Sequence, residues 1–335
     1  MVSIKTIASA CQVSIATVSK ALNDHNDVSE ATKQRIREAA KELGYLPNSQ
    51  ARTLKTNRTF NLGVLMVDKA GSGLTHNYFA SVLESFKVEA ERLGYDITFI
   101  SKNIDNLNMS YYEHCKYRNI DGVVIVCVDY SSKDVLALLN SELPAIPVDF
   151  VPDNGLCVLS DNVSGMKTLM EHIFSNGHRR IAYISGDDSK VAFDRLQSYR
   201  AAMKRHGEGL REEYILRGRF HDPVSAEELA RQLLALPEPP TCIVAPDDFS
   251  AVGVLNAAEG LGLCVPEDLS IAGYDGIFLL QALKPKLTTI KQDSKAIGRE
   301  AAVLLNAIIT KQSLPEGPIV VPGKLVEGAT VKKID

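Results

Sequence analysis

From residue 61 onward, short apolar runs alternate with helical stretches, and that alternation restricts the fold more than any other feature. NLGVLMVD (61–68), YDITFIS (95–101), DGVVIVCVD (121–129) and PAIPVDF (144–150) read as strands. Between them FASVLESFKVEAERLG (79–94), YYEHCKYRN (111–119) and SKDVLALLN (132–140) read as helices. A strand–helix–strand succession implies a parallel, doubly wound sheet, because each crossover helix covers a face of the sheet it serves. The pattern then restarts with SGMKTLMEHIFSNG (164–177), HRRIAYISGD (178–187) and RLQSYRAAMKRHG (195–207). It continues through TCIVAPDD (241–248), FSAVGVLNAAEGLG (249–262) and LSIAGYD (269–275). Two similar lobes imply a ligand cleft between them, with polar residues at the strand carboxyl ends as the site candidates.

The 335 residues suit two or three domains, and 45% apolar with 23% charged residues is ordinary for a water-soluble chain. No stretch approaches the roughly 18 uninterrupted apolar residues of a transmembrane helix, and MVSIKTIASACQ has no apolar signal region. The six cysteines show no CxxC spacing, and Cys127 and Cys242 sit in apolar runs as buried free thiols would. The expected location is therefore the cytoplasm. Charge is divided unevenly. Residues 1–58 carry nine Lys/Arg and five Asp/Glu, an excess of +4, which leaves −8 for the remainder of a chain of net −4. A basic head on an acidic body points to an anionic partner for the head, nucleic acid before membrane.

That head resolves into three capped helices. Ser3 precedes IKTIASACQ with Ile4, Ile7, Ala8 and Cys11 at helical spacing. Ser14 precedes IATVSKALN, with Ala16 or Thr17, then Val18, Ala21 and Leu22 on one side. Ser29 precedes EATKQRIREAAKELG, whose inward stripe is Ile36, Ala39, Ala40 and Leu43, closed by Gly44. About four residues separate the first two helices, which forces the steep crossing of a helix-turn-helix. The second helix presents Ser14, Thr17, Ser19, Lys20 and Asn23 outward, groups suited to phosphates and base edges. A three-helix bundle with a plain polar face satisfies the same periodicity. After Pro47, Asn48 offers a further N-cap, but the helix it starts is only about two turns long and marginal by itself.

The wording of TIASACQVSIATVSKALN and VSEATKQRIREAAKELGYLPNSQARTLK resembles the N-terminal domain of the LacI/GalR family of bacterial repressors. GHRRIAYISGD, DRLQSYR, APDDFSAVGVLNAAEGLGLCVPEDLSIAGYDG and PKLTTIKQDSKAIGREAAVLL extend the resemblance to roughly residues 3–325. It implies an α/β chain in three parts. A helix-turn-helix DNA-binding domain covers 1–46, and a hinge helix and linker cover 47–60. A periplasmic-binding-protein-like core of two doubly wound parallel-sheet lobes covers 61–335. The first lobe takes about 61–160 and 291–322, the second about 161–290. The resemblance places Ile15, Ala16 and Lys20 where the family reads bases, with Ser14, Thr17 and Ser19 positioning phosphates. Two departures stand out: Gln12 fills a turn position often held by Gly, and Lys20 lacks the planar fork of the family's Arg. In the hinge, Leu54 matches the wedge leucine that enters the minor groove. Arg52 and Lys55 would flank it near phosphates, and Ala51 is small enough for two hinge helices to meet.

For the cleft, the resemblance nominates Tyr78, Phe79, Asp149, Phe150, Arg195, Phe220, Asp248 and Asp275 as effector contacts. Carboxylates and an arginine pair with sugar hydroxyls, while aromatic faces cover pyranose C–H groups. Read on residues alone, Asp275 also suits a turn cap, Asp248 a helix cap, and Phe79 and Phe220 ordinary core. Asp161 reads equally as a helix cap, and His76 as a polar contact or a solvated loop histidine. Ser198 replaces the Gly of the family's RLxGY motif, and GLTHNYF departs from its commoner NPFF.

There is no GxSxG, HExxH or GxxxxGK[ST] motif, and the acid pairs Asp187–Asp188 and Asp247–Asp248 read as solvated or capping groups. No enzyme, cofactor or metal is expected. The reading is a cytoplasmic, dimeric repressor of carbohydrate-metabolism genes, bound to a near-palindromic operator and controlled by a sugar-like effector. A sugar-binding module without regulatory action, or a regulator whose main partner is a protein, are the competing readings. If Leu54 is the minor-groove wedge, Leu54→Ala weakens specific operator binding much more than non-specific binding. Titrations with operator and random DNA at matched salt measure the difference, and equal losses would reduce residues 47–60 to a plain linker.

Overall fold

A computed structural model describes residues 2–45, 58–68, 71–104 and 107–334. The chain divides into two compact units, residues 1–59 and 60–335. The hinge positions Asn48, Ala51, Arg52, Leu54 and Lys55 lie outside the described residues.

In the small unit, α1 (Ile4–Ala10), α2 (Ile15–Leu22) and α3 (Glu30–Glu42) start where serines can cap them. Ser14 accepts from the Thr17 amide at 3.0 Å and Ser29 from the Thr32 amide at 3.3 Å, satisfying N–H groups that no helical carbonyl reaches. Ile7, Val18, Ala21 and Ile36 are fully buried between the helices. Leu43, expected on the inward stripe, is instead 37% exposed at the C-cap of α3. The turn between α1 and α2 requires a left-handed residue, and Gln12 adopts φ 50° there. Glycine would hold that conformation without the Cβ cost of roughly 1–2 kcal/mol.

The described residues of the large unit form two larger sheets and two two-stranded pairings. After β1 (Asn61–Met66) a short 3₁₀ turn leads to α4 (Asn77–Arg92), followed by β2 (Asp96–Phe99) and the small hairpin β3 (Asn103–Ile104)–β4 (Leu107–Asn108). Then come α5 (Tyr111–Tyr117), β5 (Gly122–Val126), α6 (Lys133–Leu139) and β6 (Ala145–Pro147). The first sheet runs in the order β2-β1-β5-β6, all parallel. The second half contains β7 (Val158–Ser160), α7 (Asn162–Ser175), β8 (Ile181–Ser185), α8 (Lys190–Arg205) and β9 (Ile215–Arg217). It continues with α9 (Pro223–Leu234), β10 (Cys242–Val244), α10 (Asp248–Gly260), β11 (Ser270–Asp275) and α11 (Phe278–Ala282). β12 (Thr288–Lys291), α12 (Ser294–Ile309), β13 (Ile319–Val321) and β14 (Lys324–Val326) complete it. The second sheet has the order β14-β12-β11-β10-β8-β9, parallel except for the antiparallel edge strand β14. Helix α9 was not among the elements expected, although Asp222 caps it through the Ser225 amide and Pro223 occupies its first turn.

The chain crosses between lobes more than once. Helix α12 contributes Ile297, Ala301, Leu304 and Leu305 to the core that Leu62, Val64, Val82 and Phe86 form in the first lobe. The approach of α12 to α4 is so close that a Cβ on Gly298 would stand 2.1 Å from the Val82 carbonyl oxygen. Backbone cannot yield there as a side chain would. Gly298→Ala should therefore lower the unfolding free energy by about 1–3 kcal/mol, read from urea midpoints at unchanged slope.

Candidate functional site

Parallel strands deliver their carboxyl ends to the same side, and in the large unit those ends from both lobes enclose a cavity of about 710 Å³. The first lobe lines it from the segments after β1, β5 and β6, the second from those after β8, β9, β10, β11 and β12. Of the sequence-derived candidates, Tyr78, Phe79, Asp149, Phe150, Arg195, Phe220 and Asp275 all line this space. Asp248 does not. It is fully buried, accepting from the Thr289 hydroxyl at 2.6 Å and the Ile277 amide at 2.8 Å. Burial pushes its carboxyl up to about 7 against those donors. Asp247, one residue earlier, lines the cavity while capping α10 through the Ser250 amide.

Arg195 is the centre of the site. Helix α8 carries it inward to 3% exposure, with its guanidinium carbon 3.5 Å from the Tyr274 ring centroid. Nε donates to Asn162 Oδ1 and Nη1 to the Pro246 carbonyl, both at 2.8 Å. Around this cation the acids are held in fixed poses. Asp149 accepts from the Ser160 amide at 2.8 Å and from the Tyr78 hydroxyl at 3.2 Å. Asp275 accepts from Gln292 Nε2 at 2.6 Å. Burial raises the carboxyls of both Asp149 and Asp275, and the Arg195 charge pulls each back. Phe150 lies flat on Tyr130, centroids 4.3 Å apart and planes 7° apart. The Tyr130 hydroxyl reaches the Ile125 and Val148 carbonyls, both at 2.9 Å, so its ring cannot drift from beneath Phe150. Phe220 closes over Gly186, where a Cβ would sit 2.2 Å from its ring.

Electrostatics and backbone both set this cavity apart from the rest of the large unit. Seven aspartates line it against one lysine and one arginine. The lysine, Lys190, is paired with Asp194 at 2.8 Å. Cys127, Asp149, His221 and Asp275 all carry positive φ (51°, 60°, 59° and 116°), conformations that cost non-glycine residues energy and collect at binding sites. Gln292 and His221 were not anticipated from sequence. A left-handed aspartate or histidine directly after a strand has no dependable local signature. The thiols at 115, 157 and 242 are buried, Cys127 lines the cavity, and all six cysteines are free.

On the small unit, Ser14, Ile15, Ala16, Lys20 and Asn23 are exposed, whereas Thr17 and Ser19 are half-buried. Ile15 is an apolar side chain left 49% exposed at the start of α2, where packing supplies no partner. Lys20 is ion-paired with Asp27, and Asn23 Nδ2 donates to the Ser19 carbonyl at 2.6 Å. Among the described residues no helix is long and apolar enough to cross a membrane. Nor do they contain a group of three or more His, Cys, Asp or Glu able to hold a metal.

Residues 3–48 match the model for bacterial regulatory proteins of the lacI family, and 170–331 match the periplasmic binding protein-like domain. The chain is 31% identical to the HTH-type transcriptional repressor PurR of Mannheimia succiniciproducens over 341 residues, spanning 100% of both. It is 33% identical to the HTH-type transcriptional repressor CytR of Escherichia coli over 318 residues, 90% of this chain and 88% of that one. Among solved structures, the lac repressor dimer bound to operator and the anti-inducer ONPF is similar with a TM-score of 0.81 and 25% identity, covering 99% of each chain. The CelR–cellobiose complex is similar with a TM-score of 0.71 at 25% identity, covering 98% of this chain and 100% of that one.

Removing the cation should expose how much the surrounding acids depend on it. Arg195→Met leaves Asn162 and the Pro246 carbonyl without their donor and Asp149 and Asp275 without a counter-charge. The expected loss is about 3–5 kcal/mol in denaturant unfolding, as for other buried pairs stripped of one partner.

Proposed function

This chain belongs to the LacI family of bacterial regulatory proteins, and we propose that it is a transcriptional repressor whose operator affinity is set by an uncharged, hydroxyl-rich effector held between its lobes. A sugar or sugar derivative is the effector class that the cleft chemistry favours. The observation that carries this reading is the acid-rich, aromatic-walled cavity around Arg195. Asp275 and Asp149 provide oriented acceptors for hydroxyl groups, and the Arg195 N–H groups not spent on Asn162 and Pro246 provide donors. Phe150, fixed on Tyr130, supplies a flat face for the apolar side of a ring. An anionic ligand fits poorly, because seven aspartates face two cations already engaged with protein groups.

At the DNA end, the exposed start of α2 enters the major groove, with Ile15, Ala16 and Lys20 toward bases and Ser14, Thr17 and Ser19 toward phosphates. Lys20 exchanges its pairing with Asp27 for guanine or phosphate acceptors as it docks. Asn23, at the far end of α2, lies beside the backbone of the same groove. A homodimer places two such helices on a near-palindromic operator. Residues 47–60, with Asn48 opening the segment, Leu54 as wedge, Arg52 and Lys55 on flanking phosphates and Ala51 at the contact between two hinges, link the heads to their cores. The genes controlled are those that metabolise the effector, carbohydrate genes if it is a sugar.

The test has two arms. Gel-shift titration with the promoter DNA of neighbouring genes should show tight, salt-dependent, sequence-selective binding; its absence would exclude an operator-binding repressor. A thermal-shift screen of sugars, nucleosides and their phosphates should then find a stabilising ligand among the uncharged members. For that ligand Asp275→Ala should weaken calorimetric affinity at least tenfold, equivalent to about 1.4 kcal/mol, while leaving operator binding in its absence unchanged. Unaltered ligand affinity would remove Asp275 from the site.

A further inference from the structure

One ring system in the large unit belongs to both lobes at once. The first lobe contributes Tyr78, Phe79 and His76, with successive centroids 4.9 and 4.8 Å apart. His76 then stacks on His221 of the second lobe, centroids 4.1 Å apart and planes 17° apart, and His221 stacks on Phe249 at 4.2 Å and 9°. Beside this stack Ser72 Oγ and His221 Nδ1 lie 2.9 Å apart in a hydrogen bond that also joins the lobes. Both histidines line the cavity.

Each half of the contact is anchored in its own lobe. Asp68, two residues after β1, accepts from the Ser72 amide at 2.6 Å and the Gly73 amide at 3.0 Å, which fixes residues 72–73 ahead of His76. His221 sits at positive φ, and its amide donates to Asp247 Oδ2 at 2.8 Å. His76 is 8% exposed, yet its Nδ1 has no hydrogen-bond partner among the described residues, so stacking rather than hydrogen bonding at Nδ1 holds the ring. We propose that His76 and His221 form a latch that closes the lip of the cleft between the two lobes. Opening the cleft separates the rings and breaks the Ser72 bond, and closing it restores both in one motion. The latch therefore sets how readily the lobes part before anything enters.

The latch requires a neutral His76. Burial pushes its imidazole from 6.5 down to about 4, His221 adds to that effect, and the Asp68 carboxylate opposes it. The other acids near the pair are Asp247, bound to the His221 amide, and Asp222, which caps α9. Protons bind the open form, in which His76 regains its ordinary affinity, more tightly than the closed form. Closure is thus fully favoured above about pH 6.5, and the closed-to-open ratio falls by up to about tenfold per pH unit as pH drops toward 4.

Hydrogen exchange on the full chain, corrected for intrinsic rates, reads the lip directly at residues 71–80 and 218–222. Protection of both segments in the wild type should fall at least tenfold between pH 7.5 and pH 5.0. His76→Phe keeps a stacking ring that does not titrate and should hold protection level across that range. His76→Ala should lack the protection already at pH 7.5. A pH-independent lip in the wild type overturns the latch, as does full protection in His76→Ala at pH 7.5. So does a fall in His76→Phe equal to that of the wild type, which would place the effect outside His76.

Discussion

Parallel strands cannot be joined by a tight turn. Each must return through a crossover, so all the carboxyl ends of a parallel sheet emerge on one side, and the loops that follow them are collected there. Every functional feature of the large unit depends on this constraint. β1, β5 and β6 in one lobe and β8, β9, β10, β11 and β12 in the other each lead into a segment that lines the same cavity. Within the two larger sheets as described, β14 is the antiparallel member, and it sits at the sheet edge.

Within that enclosure the energetic problem is the crowding of like charge. Asp149 and Asp275 are brought close enough to Arg195 that its charge stabilises both, while burial penalises them. The protein meets this by fixing each group with backbone or amide donors: the Ser160 amide on Asp149, Gln292 on Asp275, and Asn162 and the Pro246 carbonyl on the guanidinium. The cost of this preorganisation is visible in the main chain, where Asp149, His221 and Asp275 take left-handed conformations. Groups held in this way meet a ligand with little further loss of freedom, which is the basis of affinity for small polar molecules.

Much of the small unit was legible because its determinants are local. Ser14 and Ser29 each cap a helix through the amide three residues on, and that spacing is written directly in the chain. Leu43 shows the limit: periodicity continued inward, yet the side chain stays exposed, because burial needs a neighbour that spacing along the helix does not supply. In the cleft, seven of the eight nominated residues line the cavity, and the exception turns on a single position. Asp247 and Asp248 are adjacent, and only the orientation of α10's first turn decides which faces the cavity and which is spent on Thr289 and Ile277. Helix α9 is equally local, with Asp222 as its cap and Pro223 in its first turn.

The amino-acid sequence determined the order and type of most elements, the capped helix-turn-helix head, the division into strand–helix halves and the family to which the chain belongs. Those properties come from neighbours within a few positions along the chain, where periodicity and capping act. Tertiary structure alone decided that His76 meets His221, that Gln292 orients Asp275, and that Tyr130 supports Phe150. These partners are separated by between 17 and 145 positions, and no local preference specifies them. Parallel pairing of β5 with β6 brings Tyr130 to Phe150, and that of β11 with β12 brings Gln292 to Asp275, while His76 and His221 meet where the two lobes face one another.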